Sequence, residues 1–70
     1  MRIAKEKLNF SRGEMLVLDL VKDGLSSKEI AMILSMSEDT IESYRRNMIK
    51  KTGARNMIVV VYAAKNHGLI

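Results

Sequence analysis

The chain has 70 residues, 47% of them hydrophobic, and a formal net charge of +4 at pH 7. This length allows one small domain, and the apolar content is enough for a core and argues against intrinsic disorder. The absence of cysteine excludes disulfides and thiolate metal sites.

Side chains that could carry chemistry are few and scattered. The chain has one histidine, His67, and no cluster of carboxylates accompanies it. No nucleophile–base pair or set of metal ligands is recognisable, so we expect neither enzymatic activity nor a cofactor. The longest apolar run, residues 57–64, is too short to span a bilayer, and residues 1–9 lack the apolar stretch of a signal peptide. We therefore expect a cytoplasmic protein that does not contact membranes.

The first third of the chain predicts an arm followed by a capped helix. Residues 1–9 are polar and basic, which is typical of a linker or an N-terminal arm, and a packed domain is predicted over residues 10–70. Ser11 and Glu14 have the spacing of a capping box at a helix start. Apolar residues at helical spacing follow, and Gly24 is predicted to end the helix.

Three more helices are predicted beyond Gly24. A second capping box, Ser26 with Glu29, opens a helix of about two turns. A turn at residues 35–36 separates it from a third helix over about residues 38–51, which a serine caps. Asn56 is a suitable cap for a fourth helix. The chain is therefore predicted to be all-α, a compact four-helix, or tetrahelical, domain.

The third helix has two contrasting sides. Helical spacing predicts a buried side formed by Ile41, Tyr44, Met48 and Thr52. The opposite side carries Ser43, Arg46 and Lys50. A short capped helix under a longer basic one is the geometry of a helix-turn-helix, whose second helix enters the DNA major groove. The sequence therefore predicts sequence-specific binding of duplex DNA, and the net positive charge is consistent with it.

Two blocks of residues also support a family resemblance. G-L-S-x-K-E-I-A at residues 24–31 stands at a specific distance from S-x-x-T-I at residues 37–41. Further matching residues are Glu14, Val17, Leu18, Leu34, Asn47, Met48, Lys51, Gly53, Asn56 and Gly68-Leu69-Ile70. From Phe10 to Ile70 the chain resembles the LuxR/FixJ-type, or GerE-like, DNA-binding domain of bacterial response regulators and quorum-sensing receptors. The resemblance implies a transcription regulator, or its output domain behind a covalently linked N-terminal sensor or receiver domain.

The chain departs from the family pattern at several positions. Leu16 stands where the family usually has an acidic residue and Met57 where it often has arginine, changes that would remove a polar link between helices one and four. Glu42 replaces a frequent lysine of the recognition helix, Tyr44 a frequent histidine, and Thr52 a leucine. Because residue 42 lies on the predicted recognition helix, the change from lysine to Glu42 is expected to alter which bases the helix reads.

Base contacts are predicted on the outward side of the third helix. Arg46 can form a bidentate pair with guanine O6 and N7, and Ser43 lies on the same side. Glu42 lies near the edge of this side. It can accept a hydrogen bond from a cytosine amino group, or it can pair with Arg45 or Arg46 at helical spacing. The alternative for the whole side is an ordinary solvated surface.

Contacts to DNA phosphates are predicted on both helices of the helix-turn-helix, at Lys28, Thr40, Arg45 and Lys50. Lys28 and Thr40 lie close to helix starts, where backbone N–H groups favour an anion. Tyr44 is either a packing residue or a further phosphate contact through its hydroxyl. Each lysine is alternatively only a solvent-exposed charge.

The fourth helix carries an apolar run, whereas a surface helix of a monomer should show a polar face. The residues predicted to stay partly exposed are Ile58, Val61 and Tyr62. We predict that they form a two-fold interface of a weak homodimer, as the resemblance also implies. Alternatively, Ile3, Leu8 and the Leu69-Ile70 tail cover this face.

Two other functions remain open for the same fold. One is a protein-interaction module that docks a receiver domain or another regulator through helix four. The other is a polymerase-binding helix-turn-helix similar to a sigma region.

Overall fold

Four α-helices form the part of the chain that the structure describes. The computed structural model describes residues 8–70, so the segment before Leu8, including Ile3, lies outside the described residues. The helices are α1 (Arg12–Val21), α2 (Ser27–Leu34), α3 (Glu38–Thr52) and α4 (Met57–Asn66). The described part contains no strand, and the all-α prediction is confirmed.

Side chains cap every helix at its N-terminus. The predicted capping boxes both form: in α1, the Glu14 N–H donates to Ser11 Oγ over 3.2 Å, and the Ser11 N–H donates to Glu14 Oε1 over 2.8 Å. Ser26 and Glu29 repeat this exchange at α2. Ser37 and Asn56 cap α3 and α4. Such caps are each worth about 1 kcal/mol, and they fix where the helices begin.

The turn between α2 and α3 is tight. Ser35 ends α2 in the left-handed conformation, with φ 55° and ψ 44°, and the Met36 N–H donates to the Ala31 carbonyl over 2.9 Å. A non-glycine residue in this conformation costs roughly 1–2 kcal/mol. At the other end of α3, Gly53 adopts φ 71° without that cost. The turn thereby sets the direction in which α3 leaves α2.

The hydrophobic core lies between α3 and the other three helices, all of which pack against α3. The largest fully buried side chains are Val17, Leu18, Ile30, Ile41, Met48 and Val60. The predicted buried side of α3 is confirmed at Ile41, Met48 and Thr52, whereas Tyr44 is half-buried. Leu8, which the sequence assigns to the arm, is buried in this core. Its side chain therefore helps to hold the helices together.

Thr52 is a polar residue inside the core, and its hydroxyl is satisfied. Thr52 Oγ1 donates to the Met48 carbonyl over 2.8 Å and accepts from the Ala54 N–H over 3.2 Å. A buried hydroxyl without partners would cost free energy, so these two bonds explain why threonine is tolerated here. They also close the C-terminal end of α3.

An ion pair ties α3 to α1. Lys51 Nζ lies 2.6 Å from Glu14 Oε1 and also donates to the Asn9 carbonyl over 3.3 Å. The Glu14 side chain is only 3% exposed, whereas that of Lys51 is 42% exposed. Burial raises the pKa of Glu14, but the hydrogen bonds from Lys51 and Ser11, together with the charge of Lys51, lower it below its ordinary value. The carboxylate therefore stays charged and holds α3 in place.

Candidate nucleic-acid interface

The outward side of α3 presents polar and basic side chains to solvent. Ser43, Arg46 and Lys50 are exposed, as the sequence predicts. Arg46 Nη2 donates to Ser43 Oγ over 3.2 Å, so the two predicted base-reading residues contact each other. The serine hydroxyl holds one edge of the guanidinium group, and no other residue in the described part of the chain accepts from the remaining N–H donors of the fork.

The positive charges of this surface are not neutralised by any carboxylate within residues 8–70. No carboxylate within residues 8–70 lies within 4.0 Å of Lys28, Arg46 or Lys50. The lysines that do form ion pairs in this part of the chain are Lys22, which caps the C-terminal end of α1, and Lys51, which joins α3 to α1. The helix-turn-helix therefore keeps a surface of free positive charge that favours a polyanion.

Glu42 is held by two neighbours. Ser27 Oγ, on the first turn of α2, donates to Glu42 Oε2 over 3.0 Å. Arg45 Nε lies 3.6 Å from the same oxygen, at i,i+3 spacing. Of the two ion pairs considered for Glu42, the structure forms the one with Arg45 and not the one with Arg46. The contact with Ser27 was not anticipated, because nothing in the sequence links residues fifteen positions apart.

Arg45 lies on a different side of α3 from Arg46. Its side chain is 27% exposed. It borders a shallow hollow between the end of α1, the following turn and the start of α4, lined also by Val21, Leu25, Met57 and Val61. Its charge is partly compensated by Glu42, so Arg45 is a weaker candidate for a phosphate contact than Lys50.

The starts of α2 and α3 carry the other predicted phosphate contacts. Lys28 is the second residue of α2 and is exposed. Thr40 is exposed on the first turn of α3, where its N–H donates to Ser37 Oγ over 3.1 Å and the two hydroxyl oxygens lie 2.8 Å apart. Both residues thus lie in the exposed first turn of a helix, where the helix dipole attracts anions.

Tyr44 packs against the first turn of α1. A Cβ atom added to Gly13 would lie 2.6 Å from the hydroxyl oxygen of Tyr44 and 2.7 Å from the ring carbon that bears it. The glycine therefore makes room for the half-buried ring. A glycine inside a predicted helix can indicate such a close approach, but it does not identify the partner.

A double-mutant cycle can measure this contact. In a Tyr44→Ala background, Gly13→Ala is expected to stabilise the domain by about 0.5–1 kcal/mol, because alanine is the better helix former. In the wild type that gain is expected to vanish, because the new methyl group meets the ring. Urea unfolding of the four proteins measures the difference, and an equal gain in both backgrounds would rule out the contact.

The predicted dimer residues lie on α4. Ile58 is 78% exposed and Tyr62 68% exposed, while Val61 is half-buried. Leu8 is buried in the core, and Leu69 and Ile70 pack against the core without covering Ile58 or Tyr62. The described part of the chain therefore leaves an apolar ridge on α4 open to solvent.

Within residues 8–70, no group of three or more histidine, cysteine, aspartate or glutamate side chains is arranged to hold a metal ion. In the same range, no helix has the length and apolar character needed to cross a membrane.

Comparison with known proteins gives a consistent result. Residues 8–64 match the family described as bacterial regulatory proteins, luxR family. The regulatory protein SdiA of Escherichia coli (strain K12) is 44% identical over 64 residues, which cover 91% of this chain and 27% of SdiA. The response regulator Rre1 of Synechocystis sp. is 43% identical over 63 residues, covering 90% of this chain and 27% of Rre1.

The fold matches as well as the sequence. The crystal structure of Escherichia coli SdiA aligns over 100% of this chain and 28% of the SdiA chain, with a TM-score of 0.88 and 41% identity. The chain thus spans about a quarter of the length of these relatives. It belongs to the luxR family of bacterial regulatory proteins, and it is a DNA-binding helix-turn-helix domain of the kind found in these transcription regulators.

Proposed function

We propose that the domain binds specific duplex DNA sequences with α3 in the major groove, where Arg46 and Ser43 contact base edges. The observation that carries this assignment is the positive charge of Lys28, Arg46 and Lys50 on the exposed surface of the helix-turn-helix, which no carboxylate among the described residues pairs with. Arg46 presents a planar fork that fits O6 and N7 of guanine, and the hydrogen bond that it donates to Ser43 Oγ limits its freedom before binding.

Phosphate contacts would fix the domain on the duplex. Lys28 and Lys50 supply charge, and Thr40 supplies an exposed hydroxyl on the first turn of α3. Tyr44 and Arg45 are secondary candidates, because the ring packs on α1 and the guanidinium is paired with Glu42. These contacts set register and orientation, and they carry no sequence information of their own.

Salt dependence tests the proposal. If a dimer neutralises about six to ten phosphates, its affinity for duplex DNA should fall by roughly 10³–10⁵ between about 50 and 200 mM salt. Lys50→Gln is expected to lower the slope of log affinity against log salt by about 1 per subunit. Lys65→Gln, an exposed lysine of α4, is the matched control and should leave the slope unchanged. Fluorescence anisotropy with a labelled duplex gives both slopes.

The alternative function, a protein-interaction module, predicts a different result. If the wild-type domain does not bind duplex DNA even at low salt, the proposal is wrong and a protein-interaction module is favoured. If Lys50→Gln and Lys65→Gln gave equal slopes of log affinity against log salt, the domain would still bind DNA, but Lys50 would not contact a phosphate.

We further propose that two copies associate through α4, which would place their α3 helices on inverted half-sites about one helical turn apart. The support is the exposed ridge of Ile58 and Tyr62, since such apolar area tends to be covered in an assembly. The ridge is small, so self-association without DNA should be weak.

Sedimentation at high micromolar concentration tests the dimer. Wild type is expected to show concentration-dependent association, which Ile58→Lys or Val61→Glu abolishes. Met32→Lys is the matched control, because Met32 is 75% exposed but lies on α2. A wild type that stays monomeric at every concentration, or equal effects of Ile58→Lys and Met32→Lys, would contradict the α4 interface.

For the whole protein, we propose a role in transcription regulation. The domain would act either alone or as the output part of a longer regulator that carries a sensor or receiver domain. The support is that this chain covers only 27% of the regulatory protein SdiA and 27% of the response regulator Rre1.

A further inference from the structure

Glu42 is the one carboxylate of α3 outside its first turn. Both of its contacts, from Ser27 Oγ at 3.0 Å and from Arg45 Nε at 3.6 Å, are made to Oε2. Within residues 8–70, no hydrogen bond or ion pair involves Oε1, and the side chain is 46% exposed. One oxygen of this half-exposed carboxylate is thus held by the protein, while the other has no partner among these residues.

Holding the carboxylate has a physical consequence. A glutamate on a helix surface samples several rotamers, and binding a ligand through it costs conformational entropy. Here the Ser27 hydroxyl, which belongs to α2, reduces that cost before DNA arrives. Arg45 offsets the negative charge that would otherwise be repelled by DNA phosphates.

The free oxygen can only accept a hydrogen bond, which restricts the bases that it suits. In the major groove, guanine presents the acceptors O6 and N7, and thymine presents the acceptor O4 and a methyl group. Adenine has an amino donor but places the acceptor N7 beside it. The amino group of cytosine is the donor that a carboxylate matches best.

We propose that Ser27 is a specificity-determining positioning residue, which holds Glu42 Oε2 so that Oε1 accepts a hydrogen bond from a cytosine amino group. This inference rests on the proposed function, since it needs α3 in the major groove. It predicts that α2 influences base choice without touching a base. The cytosine lies near the base read by Arg46, because Glu42 and Arg46 are one helical turn apart.

Selection of bound duplexes from a random pool tests the proposal, with wild type, Ser27→Ala, Ser27→Thr, Glu42→Ala and Glu42→Gln. Wild type should enrich a motif with cytosine at one position. Glu42→Ala should lower that preference by about fivefold or more, the lower end of what one base contact provides. Ser27→Ala should weaken the same position, Ser27→Thr should restore it, and Glu42→Gln should shift it towards adenine, the base that glutamine prefers.

Ser26→Ala separates positioning from stability. Ser26 Oγ accepts from the Glu29 N–H as the cap of α2, so its loss should lower the melting temperature but leave the cytosine preference unchanged. A motif that Ser27→Ala and Glu42→Ala leave unaltered overturns the inference, while a relaxed position in Arg46→Ala would still support the proposed function. A wild type that enriches no motif overturns the proposed function itself.

Discussion

Replacing Arg46 by alanine is expected to lower discrimination at a single base pair by about 1–3 kcal/mol, the value of one bidentate arginine–guanine pair. The stability of the free domain should hardly change, because Arg46 is exposed. Within residues 8–70, the only hydrogen bond or ion pair of its side chain is the hydrogen bond to Ser43. Dissociation constants for a selected operator and its single-base variants measure the effect, and thermal unfolding checks the stability.

Lys50→Ala provides the comparison for Arg46→Ala. A lost phosphate contact should weaken binding to all duplexes by a similar factor, whereas a lost base contact should relax one position. If Arg46→Ala also weakened all duplexes equally, Arg46 would be a phosphate contact and the reading of bases would fall to other residues of α3.

Loss of the Glu14 carboxylate is expected to cost about 2–3 kcal/mol of unfolding free energy in Glu14→Ala. The substitution removes a charged hydrogen bond from Lys51 and the reciprocal bond of the capping box. The free energy of unfolding of a domain of this length is only about 4–10 kcal/mol in total, so urea unfolding should resolve the loss. Glu29→Ala, which removes a capping box without a partner on another helix, should cost less. Equal losses would show that the Lys51 pair adds nothing.

The same pair predicts a dependence of stability on pH. Since the folded-state pKa of Glu14 is lowered, its contribution is fully present above the unfolded-state pKa, near 4.5, and is lost as pH falls through the lower folded-state pKa. Wild-type stability should therefore decline on acidification below about pH 4.5, and Glu14→Gln should flatten part of that decline. Some slope should remain, because hydrogen bonds from Ser26 also lower the pKa of Glu29. If Glu14→Gln lost stability on acidification as steeply as the wild type, the result would contradict a stabilising role of the Glu14–Lys51 ion pair.

Features that depend on near neighbours in the chain were predictable. The capping boxes join residues three positions apart, so Ser11 and Glu14 could be recognised from the sequence. The buried side of α3 follows from helical spacing in the same way. The pair of Glu42 with Arg45 was one of two possibilities at helical spacing, and only the structure distinguishes them.

Contacts between distant residues could not be predicted. Ser27 and Glu42 are 15 positions apart, and Glu14 and Lys51 are 37 apart, so each depends on how the helices pack. Lys51 lies in the last turn of α3, where the helix dipole favours a cation, but that position does not indicate a partner on α1. Periodicity indicates which side of a helix is buried, but it does not say which residue of another helix lies opposite.

The position of α3 on DNA is tested most directly by titrating the isotopically labelled domain with a selected operator duplex and following its backbone amide NMR signals. The largest shifts are expected on the outward side of α3, around Ser43 and Arg46, and on the first turn of α2 near Lys28. Smaller changes on α4 around Ile58 would report association of two copies. Shifts confined to α4, with the signals of α3 unchanged, would contradict the assignment of α3 as the recognition helix.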